Sequence, residues 1–196
     1  GGTHFTHKDE DKKYCNICYI FNPGGAVFEQ RKIHLFPTEK HWHCVGGENF
    51  QVFKLANVKV GIITCYDAEF PELSRAMALS GAEILVCPSL TFSDRGFWRV
   101  RHCCEARAVE NQVYVIHGAG FGEWNFPKEE RQTFWGCSSI LAPVDEIQNY
   151  RAGLVAEGVL CTEMVVTADL DIDKLYESRE KSEATQLMDR RPELYK

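Results

Sequence analysis

The order of apolar runs along the chain predicts an α/β layered fold. Three observations carry it. The strand-like run 58–64 (VKVGIIT) leads into a helical segment opening at Pro71, the short apolar run 84–87 (ILVC) leads into a second helical segment, 98–111, and the apolar run 113–117 (VYVIH) closes the alternation as a third strand. Taken from the start, residues 14–21 (YCNICYIF) form a β-rich run ended by Asn22-Pro23-Gly24-Gly25, and residues 26–30 resume an extended pattern, which predicts a hairpin. Residues 33–36 form a short apolar strand stopped by Pro37, and residues 50–55 and 58–64 are two more strand candidates, divided by the turn-like Asn57. The segment 73–80 has Pro71 and Glu72 at its start and Gly81 as its stop, the expected asymmetry of a helix. The run 84–87, ended by Pro88, is of the kind buried on both faces of a sheet. Helix 98–111 is recognised by its periodicity and its Ala/Arg/Glu content. The last third adds strand-like runs at 138–141 and 164–168, then a charged tail whose helical part begins near Asp173.

Composition narrows the function. The chain has 196 residues, 44% of them hydrophobic, which suits one domain with a real core and excludes disorder as the main state. Its 22 Lys and Arg against 28 Asp and Glu leave a net charge of −6, and no run of four basic residues occurs, so no nucleic acid partner is expected. No apolar stretch approaches the roughly 18 residues of a membrane span, so no membrane partner is expected either. The chain opens Gly1-Gly2-Thr3-His4-Phe5, with neither Met nor a signal pattern, and is expected to start inside a longer protein. Nine cysteines, an odd number set mostly in apolar runs, fit free buried thiols in a reducing cytoplasm.

Cys65 is the most pointed candidate. It sits between the end of the strand Gly61-Ile62-Ile63-Thr64 and the helix opening at Pro71. A strand-to-helix turn exposes a side chain and supplies unpaired backbone N–H groups, and the helix N-terminus favours a thiolate. The Tyr66 amide is placed to receive an oxyanion. A thiol nucleophile also needs a cation and a carboxylate; Lys32, before the apolar run, and Glu39, just after it, are the candidates. Two glycine- or aromatic-bearing stretches, 89–92 with Ser89 and Leu90, and 118–124, are candidate pocket loops. Cys15 and Cys18 have CxxC spacing, with His41, His43 and Cys44 downstream, yet they lie in a β run where residues three apart face opposite ways, so no metal site is expected.

The run Arg31-Lys32-Ile33-His34-Leu35-Phe36, followed by Cys65-Tyr66-Asp67-Ala68-Glu69-Phe70-Pro71-Glu72, resembles the paired lysine and cysteine motifs of the nitrilase superfamily of carbon–nitrogen hydrolases. Arg107-Ala108-Val109-Glu110-Asn111, Gly136-Cys137-Ser138-Ser139 and Arg190-Arg191-Pro192-Glu193-Leu194-Tyr195 are similar to its later landmarks. Glu69, where many members carry Arg, and the run 96–101 (GFWRVR) resemble a bacterial amidohydrolase-like branch, some of whose members are joined to an N-terminal acetyltransferase domain. The resemblance implies an α-β-β-α sandwich over residues 1–196, incomplete at its N-terminus, and a Glu-Lys-Cys triad. Cys65 matches the nucleophile, Lys32 the lysine that steadies the tetrahedral intermediate, and Glu39 falls near an additional active-site glutamate. The base glutamate of the triad precedes the lysine motif in the family, and no position here matches it; a chain without it is expected to be weak or inactive. Tyr66, Ser89 and Leu90 are the implied substrate contacts. A small-molecule amide is the expected substrate, hydrolysed through a Cys thioester, with no cofactor and no metal. Acyl transfer, nitrile hydrolysis and an inactive scaffold remain as alternatives. A homodimer or higher homo-oligomer is implied, with weak support from the apolar Phe97 and Trp98.

Overall fold

The computed structural model describes residues 2–8, 13–124 and 132–195, so Gly1 of the opening run lies outside the described residues. Three antiparallel strands, β1 (Thr3–Lys8), β2 (Lys13–Phe21) and β3 (Val27–Arg31), form a small sheet in that order. The β2–β3 hairpin turns where the sequence places it. Gly24 donates its N–H to Asn22 Oδ1 at 3.1 Å, and Gly25 takes φ +84°, a conformation that glycine adopts without strain. After a short helix α1 (Pro37–His41) come β4 (Val52–Leu55), β5 (Val58–Ile62), a 3-10 turn over Cys65–Glu69 and α2 (Pro71–Leu79). Next are β6 (Ile84–Leu90), α3 (Asp94–Asn111), β7 (Tyr114–Gly120), the pair β8 (Gly122–Trp124) and β9 (Gln132–Phe134), then β10 (Ser139–Leu141), β11 (Leu154–Glu157) and α4 (Ile172–Lys181).

The large sheet runs β11-β10-β7-β6-β5-β4. Its centre, β5-β6-β7, is parallel, as crossovers through helices require, and its flanks are antiparallel. Leu73 and Met77 of α2 and Val100, Cys104 and Ala108 of α3 bury against Leu85, Cys87, Val113 and Val115 on one face. Alternation along the strands sends Val60 and Ile62 to the other face, where they meet Cys18 and Ile20 of β2 and Phe28 of β3. Helix, sheet, sheet is therefore the layer order, and α4 covers Tyr114 on the second face through the fully buried Leu175. Each fully buried aliphatic side chain contributes about 1.5–3 kcal/mol relative to exposure. Close packing explains Gly61: a Cβ there would meet Met77 Sδ at 2.8 Å and Leu85 Cδ2 at 2.9 Å. Among the described residues no helix is long and apolar enough to cross a membrane.

Several sequence expectations are corrected. Residues 33–36 form no strand, because the Ile33 and His34 amides are taken by a carboxylate in place of a ladder. β6 does not end at Pro88 but runs to Leu90. Ile63 N–H donates to Val86 O, so alternate residues from Val86 face β5, and Pro88 lies beyond the last β5 pair, where no donor is needed. Helix α3 starts at Asp94, four residues early, with the Ser93 side chain accepting from Gly96 N–H at 3.1 Å. β7 extends to Gly120, so Ser89, Leu90 and part of 118–124 are strand, not loop. Residues 164–168 form no strand; they lie largely exposed, Val165 at 86%. All nine cysteines are free, and six are buried.

Candidate active site

β5 ends at Ile62, Ile63 makes one last sheet bond to Val86 O, and the chain then turns sharply at Cys65. Cys65 takes φ +50°, the left-handed region that a non-glycine residue enters at a cost of about 1 kcal/mol or more. The turn places Cys65 at the carboxyl end of the parallel strands, its backbone side partly exposed and its thiol tucked in, with Sγ donating to Leu90 O at 3.9 Å. From α3, the buried Arg107 Nε donates to Ala68 O at 3.0 Å and braces the turn from below.

Lys32 and Glu39, both buried, form an ion pair at 2.6 Å. Glu39 is further held by Phe36 N–H at 2.8 Å on Oε2 and by Asn16 Nδ2 at 2.8 Å on Oε1. The lysine backbone is fixed in turn, its N–H donating to Asn16 O and its carbonyl accepting from Gly47. Asp67 joins this loop to the cysteine turn. Its carboxylate accepts from His34 N–H at 2.7 Å, Ile33 N–H at 3.4 Å and Thr64 N–H at 3.0 Å, and it pairs with His34 Nδ1 at 3.0 Å. The His34 ring stacks on Phe70 at 3.8 Å. Burial raises Asp67 above its usual range, against the hydrogen bonds that favour its charge. One side chain thus sets the register between the candidate cation and the candidate nucleophile.

Burial pushes the Cys65 thiol up to about 11, against the pull of the Lys32 ammonium. At neutral pH the group is a thiol, so its nucleophilic use needs a proton acceptor. Tyr66 follows Cys65 in the turn, its ring edge-on to Phe36 at 5.3 Å and to Phe70 at 5.0 Å. Leu90 offers its carbonyl to the thiol and keeps a side chain 41% exposed. The Ser89 hydroxyl is engaged with His117 Nε2 at 2.8 Å, and burial lowers His117 to about 4, so that ring is neutral. At the rim, Arg99 Nε bonds both oxygens of Glu69 at 2.8 and 2.9 Å.

The structure brings Cys65, Lys32 and Glu39 into one electrostatic cluster, with Tyr66 and Leu90 beside the thiol. Sequence reading missed Asp67, Asn16 and Arg107 as its supports. The Thr64-x-x-Asp67 spacing was the available signal for the first, since a carboxylate three residues after such a turn start bonds back to the backbone N–H.

A family model described as carbon-nitrogen hydrolase matches residues 1–180. The chain belongs to this family. Among carbon-nitrogen hydrolases it is similar to the probable hydrolase YhcX of Bacillus subtilis, 39% identical over 197 residues, covering 100% of this chain and 37% of that protein. It is also similar to the omega-amidase NIT2-B of Xenopus laevis, 30% identical over 187 residues, covering 89% of this chain and 62% of that protein. The chain therefore spans between about a third and two thirds of the length of these relatives. Among solved structures it resembles Nit3 of Saccharomyces cerevisiae, a member of the nitrilase superfamily, with TM-score 0.77 and 27% identity over 97% of this chain and 65% of that one. A carbon-nitrogen hydrolase from Helicobacter pylori shares the fold at TM-score 0.83 and 24% identity, over 98% of this chain and 68% of that one. These likenesses place the fold in the nitrilase superfamily.

Proposed function

We propose that this carbon-nitrogen hydrolase chain carries the nucleophile half of an amidase site, cleaving a small-molecule amide through a Cys65 thioester. The carrying observation is Cys65 held at φ +50° beside the buried Lys32–Glu39 pair. A strained turn that holds one thiol within electrostatic reach of a buried ammonium is the arrangement expected of a nucleophile beside an oxyanion holder. The omega-amidase name of one relative supports an amide as substrate.

On this reading a carboxylate base takes the Cys65 thiol proton and sulfur attacks the amide carbonyl carbon. The oxyanion is received by Lys32 and the Tyr66 amide; the ammonium has three N–H donors and Glu39 uses one. The carbon–nitrogen bond breaks as the base returns the proton to the leaving nitrogen, giving ammonia or an amine and the thioester. Water, deprotonated by the same base, attacks the thioester, and the acid and free thiol are released. Glu39 holds the ammonium in place, Asp67 holds the lysine loop against the turn, and Leu90 lines the approach. The base has no match among residues 1–196, and general-base catalysis contributes about 10²–10⁴-fold, so we expect the 196 residues alone to turn over slowly by that factor. We further propose a cytoplasmic homodimer or higher homo-oligomer, for which light scattering is the test.

The deciding experiment is intact-mass spectrometry of the full-length protein after brief exposure to a panel of short amides, with released ammonia read in parallel and Cys65→Ala as control. An acyl adduct or ammonia release that vanishes in the control supports the reading. Neither signal across the panel, together with a Cys65 that resists iodoacetamide in the native protein even at about pH 10, overturns it.

A further inference from the structure

The parallel register of β6 and β7 sets Cys87 directly beside His117, side chains on the same face. Helix α3 covers that face and contributes Cys104 to the same buried cluster. The two sulfurs and a ring nitrogen of His117 lie within 4.8 Å of one another, and all three residues are fully buried. We infer that Cys87, Cys104 and His117 form a two-sulfur, one-nitrogen site for a soft, filled-shell cation such as Zn²⁺ or Cu⁺, set beneath the Cys65 turn.

Four features support the site. The first is an unpartnered atom: His117 Nε2 is bonded to Ser89 Oγ at 2.8 Å, while Nδ1, buried from water, has no partner. A buried polar nitrogen left so costs about 1–3 kcal/mol, which a bound cation removes. The second is the support already given to the ring. Where Ser89 accepts the Nε2 proton, Nδ1 presents its lone pair, and a metal-ligating histidine is normally fixed in this way through its other nitrogen. The third is geometry. Zinc lies about 2.3 Å from sulfur and about 2.0 Å from nitrogen, which puts ligand atoms roughly 3.5–4 Å apart, so the cluster closes on the ion by a contraction of at most about 1.3 Å. The fourth is charge, because two thiolates neutralise a divalent cation where water is excluded.

Binding is balanced without redox chemistry. Each thiol gives its proton to solvent, two metal–sulfur bonds and one metal–nitrogen bond form, and the Cys87–Cys104 thiol contact is replaced by shared ligation of the ion. Thiolate and imidazole ligands select soft or borderline cations over Mg²⁺ and Ca²⁺. Cys87 also contacts the Cys65 backbone, so the ion would lie directly below the strained turn, in a position to stiffen it. Neither the CxxC spacing of Cys15 and Cys18 nor any sequence motif marks this place; only strand register and helix packing assemble it.

The test uses the full chain, reduced, chelator-treated and refolded with cadmium as the probe, because the site is closed in the folded state. Wild type and Cys65→Ala are expected to bind one cadmium ion with loss of two protons, read by native mass spectrometry and by the thiolate-to-cadmium ultraviolet band. Cys104→Val and His117→Phe are expected to bind at least about tenfold more weakly. Binding undiminished in both of those variants, or lost in Cys65→Ala, overturns the inference. Cadmium NMR on the wild-type chain gives a reading independent of any variant's folding: two sulfur ligands with nitrogen agree with the site, and three sulfurs, or none, overturn it.

Discussion

Around Lys32, each buried charge finds its counterpart within the chain: ammonium on Glu39, Glu39 on two further N–H groups, Asp67 on three backbone amides and a histidine ring. Around His117, a few residues away across β6, the polar atoms are equally buried, yet one ring nitrogen is left over. Both clusters reach Cys65 and the groups at their centres are buried, so desolvation does not distinguish them. The difference lies in what is left over: around Lys32 two ammonium N–H donors and Asn16 Oδ1 remain beside an already paired charge, whereas around His117 a neutral ring keeps a lone pair without a partner.

The largest effect that sharpens this contrast is kinetic. With the Cys65 thiol at about 11, its iodoacetamide alkylation should climb about 100-fold from about pH 8 to about pH 10, where a free cysteine levels off. Lys32→Met should shift that rise to still higher pH, and Cys104→Val should leave it in place; a profile unmoved by Lys32→Met means the ammonium does not act on the thiol. In stability, Lys32→Met strands a buried Glu39 charge and should cost about 3–5 kcal/mol in urea unfolding. The double variant Lys32→Met/Glu39→Gln should recover most of that, and equal losses in both would break the picture of a closed pair. Asp67→Asn sets an NH₂ group against backbone donors and should cost about 2 kcal/mol, with faster hydrogen exchange at His34 N–H as its local signature. In the other cluster, Cys104→Val in the presence of chelator should cost less than about 1.5 kcal/mol, since it replaces a thiol by an apolar group of similar size. Smallest is Arg99→Ala at the rim, within about 1 kcal/mol, because its partner Glu69 can turn to water.

Much of the fold was legible because local and long-range demands agree. The 14–30 hairpin has its turn residues, and β5, α2, β6, α3 and β7 alternate in apolar runs of the right period. Failures came where a partner far along the chain decided the outcome. Residues 33–36 have strand composition, but Ile33 and His34 give their amides to Asp67, thirty-odd positions on. Residues 164–168 look like a strand and have no sheet partner among the described residues. Pro88 stops a strand only when its missing donor faces a neighbour, which depends on where β5 ends. The site divides in the same way. Cys65 announces itself by lying between a strand and a helix start, and Lys32 and Glu39 by flanking one loop. Cys87, Cys104 and His117 are seventeen and thirteen residues apart in sequence and meet only through register and helix packing.

The left-handed backbone at residue 65 has a consequence for how this chain would age under mutation. Glycine would sit at φ +50° without steric objection, so the fold itself argues against any side chain there. A lineage that no longer used the thiol would have a single-step route to a more relaxed turn, while one that still used it would be held at cysteine against its own conformational preference. Position 65 is thus a gauge of use: what occupies it in any relative records whether the turn still works for a living or has been allowed to rest.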